Sequence, residues 1–181
     1  MKNYYLHNKG EKEMEFRKTV KEDINKVMNI IRQAQYYFKE QGIDQWQNNY
    51  PNIETIQNDI DNGISYVLLK DGEVVATAAV SFDKEKTYNV IYEGQWLSNE
   101  KYAVIHRVAV DNNYKGIGLS SQIIDKVCEM CRINNVYSIK IDTHEDNKSM
   151  QKMLEKNHFK YCGKIILEDG NWRIAFEKII R

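Results

Sequence analysis

Residues 104–127, VIHRVAVDNNYKGIGLSSQIIDKV, change character twice within one short segment. The β-branched, alternating start reads as a strand, and the polar DNNYKGIG reads as a loop. Leu119, Ile123, Ile124 and Val127 then recur at helical spacing. Gly116 and Gly118 stand just ahead of that helix. A helix start exposes backbone N–H groups that have no intrahelical partner, at the positive end of the helix dipole. Glycines there let a ligand approach the backbone closely, so the segment suits an anion, most often phosphate.

Two familiar phosphate motifs compete for the loop, and neither fits. A nucleoside-triphosphate loop needs G-x-x-x-x-G-K-[ST], whereas here the lysine precedes the glycine as Lys115-Gly116. The dinucleotide fingerprint comes closer: Gly116, Gly118 and Ser121 nearly match G-x-G-x-x-G/A, and Asp142 closes the next strand where a ribose-binding acid belongs. Yet residues 111–115 separate Val110 from Gly116, enough chain to reach up to ~17 Å from the strand end, and the dinucleotide turn is tight. An antiparallel hairpin also precedes the unit, which a doubly wound fold does not begin with.

Outward from this segment the chain reads as one domain. Residues 1–13 look like a polar leader, and residues 14–181 hold the periodic elements. EFRKTV gives a short strand. Thr19 and Glu22 have capping-box spacing before a helix bearing Ile24, Val27, Ile31, Ala34 and Phe38, which Gly42 ends. Asn52 caps a second helix with Ile53, Ile56 and Ile60 on one face. Strands about Asp71-Gly72 form a hairpin, and a polar insertion follows before the strand 102–110. A helix to about Asn134, the strand YSIKIDT, a helix over 147–156 and a hairpin about Asp169-Gly170 complete the order β-α-α-β-β-β-α-β-α-β-β.

Charge and cysteines narrow the function classes. Lys plus Arg and Asp plus Glu each number 26, so no global field recruits nucleic acid or an anionic membrane. No apolar run approaches membrane-spanning length, and the N-terminus lacks the apolar core of a signal peptide, so a cytoplasmic location is expected. Cys128 and Cys131 share the apolar face of the helix after the glycine loop. They read as buried thiols rather than as zinc ligands that would have to recruit Cys162 and His158, and no metal is expected.

HRVAVDNNYKGIGLSSQIID resembles the acetyl-coenzyme A motif of the GNAT superfamily of N-acetyltransferases, and NKSMQKMLEKNHF resembles the second cofactor segment of that superfamily. The resemblance spans about residues 14–181. Asn113 stands where the family commonly has Gln or Arg, and His158 where it commonly has glycine. The resemblance implies an α/β fold with a mixed, mostly antiparallel central sheet, helices on both faces and a splayed strand pair holding acetyl-coenzyme A. In such a fold Val108, Ala109 and Val110 offer backbone to the pantetheine arm. Lys115, Gly116, Ile117, Gly118, Leu119, Ser120 and Ser121 cradle the pyrophosphate, and Asn147 contacts the cofactor while capping its helix.

Acetyl transfer to an amine needs a base, because an alkylamine with a pKa near ~10.4 is protonated at neutral pH. The family's acidic position falls on Asp142, and its acid tyrosine falls on Leu154. A thiol leaving group, with a pKa near ~8.5, makes the acid the more dispensable partner. Alternation places His106 on the face of Val108 and Val110, and places His144 beside Asp142 if the strand persists. His106, Asp142 and His144 are the candidate catalytic residues, with Glu93 in the insertion as another. Trp46, Tyr50 and Trp96 fall in segments that cover the acceptor side of the family. The expected activity is N-acetylation of a primary amine of a small molecule or peptide. The alternatives are a non-catalytic acyl-coenzyme A-binding module and a dinucleotide oxidoreductase, and a homodimer is left open.

Overall fold

The computed structural model describes residues 14–180, so the polar leader expected over residues 1–13 lies outside the described residues. β1 (Met14–Lys18) leads through a 3-10 turn into α1 (Ile24–Glu40), and α2 (Ile53–Asp61) follows. β2 (Ser65–Lys70) and β3 (Glu73–Ser81) form the hairpin about Asp71 and Gly72. After the insertion of residues 82–102 come β4 (Ala103–Val110), α3 (Leu119–Ile133), β5 (Ser138–Thr143) and α4 (Lys148–Lys156). β6 (Lys160–Ile166) and β7 (Trp172–Ile179) close the chain as a hairpin. The order read from the sequence is the observed one because the boundaries carry local signals. Asn52 Oδ1 accepts from the Thr55 N–H at 2.9 Å to cap α2, and Asn147 Oδ1 accepts from the Met150 N–H at 3.1 Å to cap α4.

The seven strands form one sheet in the order β1-β2-β3-β4-β5-β7-β6, antiparallel except where β4 meets β5. This is not the doubly wound parallel sheet that a dinucleotide fold requires. α1 and α2 cover one face, where Val27, Ile30, Ile31 and Ile56 pack on Val67, Leu69, Val74 and Ala109. α3 and α4 cover the other, where Leu119, Ile123, Ile124 and Leu154 pack on Leu68, Ile105, Ile139 and Ile141. Burying each such aliphatic side chain contributes about 1.5–3 kcal/mol, so the sheet is clamped from both sides. The insertion joins the α1 side, with Tyr88 on Val104, Ile165 and Ala175.

Two local expectations give way to tertiary contacts. Thr19 and Glu22 do not cap α1: Thr19 Oγ1 is buried and accepts from Ser65 Oγ at 2.7 Å. No side chain caps α1; Asp23 instead closes the 3-10 turn ahead of it, accepting from the Val20 N–H at 2.9 Å while Arg17 grips it at 2.6 and 3.1 Å. The guanidinium holds Asp23 below the usual carboxylate range, and an ionised carboxylate is a stronger acceptor than a hydroxyl. Ile53 is half exposed, so Ile56 and Ile60 carry the apolar face of α2.

Candidate active site

Only Ala103 and Val104 of β4 pair with β5, opposite Ile139 and Lys140, and beyond them the two strands part. On its other edge β4 sets His106 against Ala79 and Ala109 against Thr77, so Arg107 and Val108 together face the single residue Ala78. This is a β-bulge, with Arg107 at φ 54°. The extra residue breaks the alternation of side chains. Val108 and Val110 pack on the α3 face, whereas Arg107 reaches Asp59 of α2 on the opposite one. His106, next to Ile105 of the α3 face, projects to the α2 side as well. His106 therefore does not share a face with Val108 and Val110, because period-two reasoning holds only along an unbroken ladder. α2 holds the bulge in place: Arg107 Nε and Nη2 donate to the two Asp59 oxygens at 2.7 Å each, and Nη1 donates to Tyr50 Oη at 2.9 Å.

Where the strands part, a cavity of about 650 Å³ opens, walled from both sides of the sheet. Trp46 and Tyr50 of the α1–α2 loop, Glu85 of the insertion, His106, Asp142 and Asn147 line it. His106 Nε2 stands 3.5 Å from Glu85 Oε2, both side chains being partly buried. Glu85 is held down to about 2, first by His106, against the upward push of burial and with help from the N–H and hydroxyl of Thr87. An ionised carboxylate therefore faces the imidazole, an arrangement that orients the ring. Asp142 Oδ1 accepts from Tyr88 Oη at 2.6 Å. Burial and the Asp142 charge raise the Tyr88 phenol well above its ordinary range, so it remains a donor at neutral pH.

Other candidates fall elsewhere. β5 ends at Thr143, so His144 does not continue its face beside Asp142. Its Nδ1 instead accepts from the Asp146 N–H at 3.1 Å, within the turn that leads to α4. Glu93 pairs with Lys164 at 2.7 Å on the surface and does not line the cavity. Leu154 is fully buried in the α3 side of the core, so no hydroxyl stands at that position. Trp46 and Tyr50 line the cavity, while Trp96 packs on Tyr88 and donates to the Tyr88 carbonyl at 2.9 Å. Glu85 was not legible in the sequence, since nothing local distinguishes it from Asp83 or Glu93 in the same polar insertion.

The glycine loop is shorter in space than in sequence. Residues 112–114 form a 3-10 turn tied to α1: Asp111 accepts from Lys26 at 3.0 Å, and the Asn112 N–H donates to Gln33 at 2.7 Å. The turn delivers Gly116 and Gly118 at φ 83° and 86°, and no side chain caps α3 at Gly118. A Cβ at either glycine would meet nothing within 4 Å, so open space lies over the N–H groups at the positive end of α3. Lys115 and Ile117 are exposed beside it, and Leu119 contributes backbone only, its side chain being in the core. Ser121 Oγ accepts from Asn157 Nδ2 at 3.0 Å, which leaves Ser120 as the hydroxyl with no protein partner among the described residues. Val108, Ala109 and Val110 lie on the part of β4 that has left β5, and Asn147 heads α4 across the gap.

The model of the acetyltransferase (GNAT) family matches residues 25–159. This chain belongs to the GNAT acetyltransferase family. A GNAT-family acetyltransferase from Streptococcus agalactiae is 36% identical, with a TM-score of 0.85 over 93% of this chain and 96% of that one. A GNAT-family acetyltransferase from Listeria monocytogenes shares the fold at 20% identity, with a TM-score of 0.70 over 92% and 95% of the two chains. So does yncA from Salmonella typhimurium, solved with its cofactor acetyl-CoA, at 12% identity and a TM-score of 0.65 over 93% and 94%. A search of curated proteins found no match. As a GNAT acyltransferase the protein uses acetyl-CoA. The open glycine turn fits a pyrophosphate, and the parted edges of β4 and β5 fit an extended pantetheine arm.

The cysteines of this GNAT protein are buried, and burial pushes Cys131 to about 12 and Cys162 to about 11. Among the described residues no group of three or more His, Cys, Asp and Glu is arranged to hold a metal, and no helix is long and apolar enough to cross a membrane.

Proposed function

We propose that residues 14–181 form an N-acetyltransferase domain that acetylates a primary amine of a small molecule or peptide, with His106 as general base and Glu85 as its partner. The observation that carries this reading is the His106–Glu85 pair on the wall of the cavity, at the point where β4 and β5 part. Acetyl-CoA, when bound, supplies the acetyl thioester. With Nε2 turned to Glu85, His106 keeps Nδ1 to take a proton from the incoming ammonium, and the Glu85 carboxylate holds the ring in that orientation. Asp142, one oxygen of which is fixed by Tyr88, keeps Oδ2 free to orient the same amine. The cavity lining holds six carboxylates, Asp44, Asp83, Glu85, Asp142, Glu168 and Asp169, against three basic side chains, Lys84, Arg107 and Arg173, an excess of negative charge that favours a cationic acceptor.

The test is release of free thiol from acetyl-CoA across a panel of polyamines, arylalkylamines, aminoglycosides, amino acids and peptides. Against the best acceptor, His106→Gln should lower turnover at pH 7 by about 10²–10⁴, the usual worth of a general base, and by much less at pH 9. Glu85→Gln should show a weaker form of the same pattern. Equal losses at both pH values would reduce His106 to a structural role. Confirmed acetyl-CoA binding with no thiol release above the blank would favour the non-catalytic module.

A further inference from the structure

Besides the bond from Arg107 to Tyr50, a side chain that no motif singles out joins the loop between α1 and α2 to the head of α4. Gln45 Oε1 accepts from Asn147 Nδ2 at 3.0 Å and from Thr143 Oγ1 at 3.4 Å. Asn147 is 5% exposed, and its Oδ1 is already committed to the Met150 N–H. Its Nδ2 carries two hydrogens, one of which remains after the bond to Gln45. On the other side of Gln45 the chain turns into Trp46, Gln47, Asn48 and Tyr50, all of which line the cavity. Trp46, Asn48 and Asn49 adopt positive φ, at 58°, 55° and 60°. Such conformations persist only where surrounding contacts hold them. Gln47 Nε2 adds bonds to the Gln45 and Gln35 carbonyls, so the strained stretch is tied to α1 and to the head of α4.

We propose that Gln45 is a positioning residue that couples the donor side of the site to the acceptor wall. Resting on the acetyltransferase reading above, the inference is that acetyl-CoA docking on Asn147 fixes the amide that holds Gln45, and through it the placement of the adjacent Trp46. A single net hydrogen bond sets the scale: the coupling between donor and loop is worth roughly threefold to tenfold in affinity.

5-Fluorotryptophan labelling provides a readout that needs no knowledge of the acceptor. The chain has three tryptophans, and Trp46→Phe assigns the loop resonance in the fluorine spectrum. Titration of the unmodified chain with acetyl-CoA should shift or sharpen the Trp46 resonance. In Gln45→Leu that response should be lost, while calorimetry shows acetyl-CoA affinity reduced by no more than about tenfold. Gln45→Glu, which keeps an acceptor oxygen, should restore it. An identical Trp46 response in Gln45→Leu, or no response in the unmodified chain despite calorimetric binding, overturns the coupling while leaving the acetyltransferase reading intact. Absence of acetyl-CoA binding to the unmodified chain overturns both.

Discussion

Arg107 occupies a strand position at φ 54°, a conformation that costs an L-residue about 1–2 kcal/mol and glycine very little. Its guanidinium makes two 2.7 Å bonds to Asp59, and the paired side chains are only 13% and 9% exposed. Two substitutions at this position separate the ion pair from the backbone. Arg107→Ala and Arg107→Gly both leave the Asp59 carboxylate buried without its partner, so each should lose about 3–5 kcal/mol. The variants differ only in the backbone term. Relief of strain, about 1–2 kcal/mol, less the extra chain entropy of glycine, about 0.5–1 kcal/mol, leaves glycine the more stable by about 0.5–1 kcal/mol. In a regular strand the order reverses, with glycine the less stable by about that amount. Urea unfolding of the two variants side by side, with equal slopes, reads the sign directly. Alanine more stable than glycine by 0.5 kcal/mol or more, a threshold on the order of the glycine entropy cost, would refute the bulge and with it the placement of His106.

The cofactor loop and a buried lysine supply the remaining expectations. Gly116→Val should cut acetyl-CoA affinity more than tenfold in calorimetry and lower stability by about 1–2 kcal/mol, because its φ of 83° strains any L-residue although its Cβ has open space. Unchanged affinity with unchanged circular dichroism would mean that the loop holds something else. Lys140 is buried, its Nζ lying 4.2 and 4.1 Å from the ring centroids of Trp96 and Tyr102, and desolvation lowers its pKa in spite of Glu177. Between that lowered value and 10.5 the unfolded chain binds more protons than the folded one, so stability attributable to Lys140 rises with pH. The unfolding free energy of the unmodified chain relative to Lys140→Met should therefore increase as pH is raised toward 10.5, and a flat difference would contradict the desolvation argument.

The sequence by itself determined the elements and their order, because those signals are local. Asn52 and Asn147 cap helices within three residues of themselves, Asp71-Gly72 turns a hairpin, and helical spacing in residues 119–131 assigns a face. The conformation of the glycine loop was legible for the same reason, since Gly116 and Gly118 stand at positive φ just ahead of α3. Only the tertiary structure decided the rest. Which face His106 takes depends on a bulge secured by Asp59, 48 residues away in the chain from Arg107. Glu85 rather than Glu93 meets His106 because of how the insertion folds back on the sheet, and His144 turns away because β5 stops at Thr143. Asp23 rather than Thr19 closes the turn into α1 because Arg17 holds its carboxylate there, while Thr19 is drawn to Ser65. Contacts between residues far apart in the chain leave no periodic trace in the sequence, and these are the contacts that assemble the site.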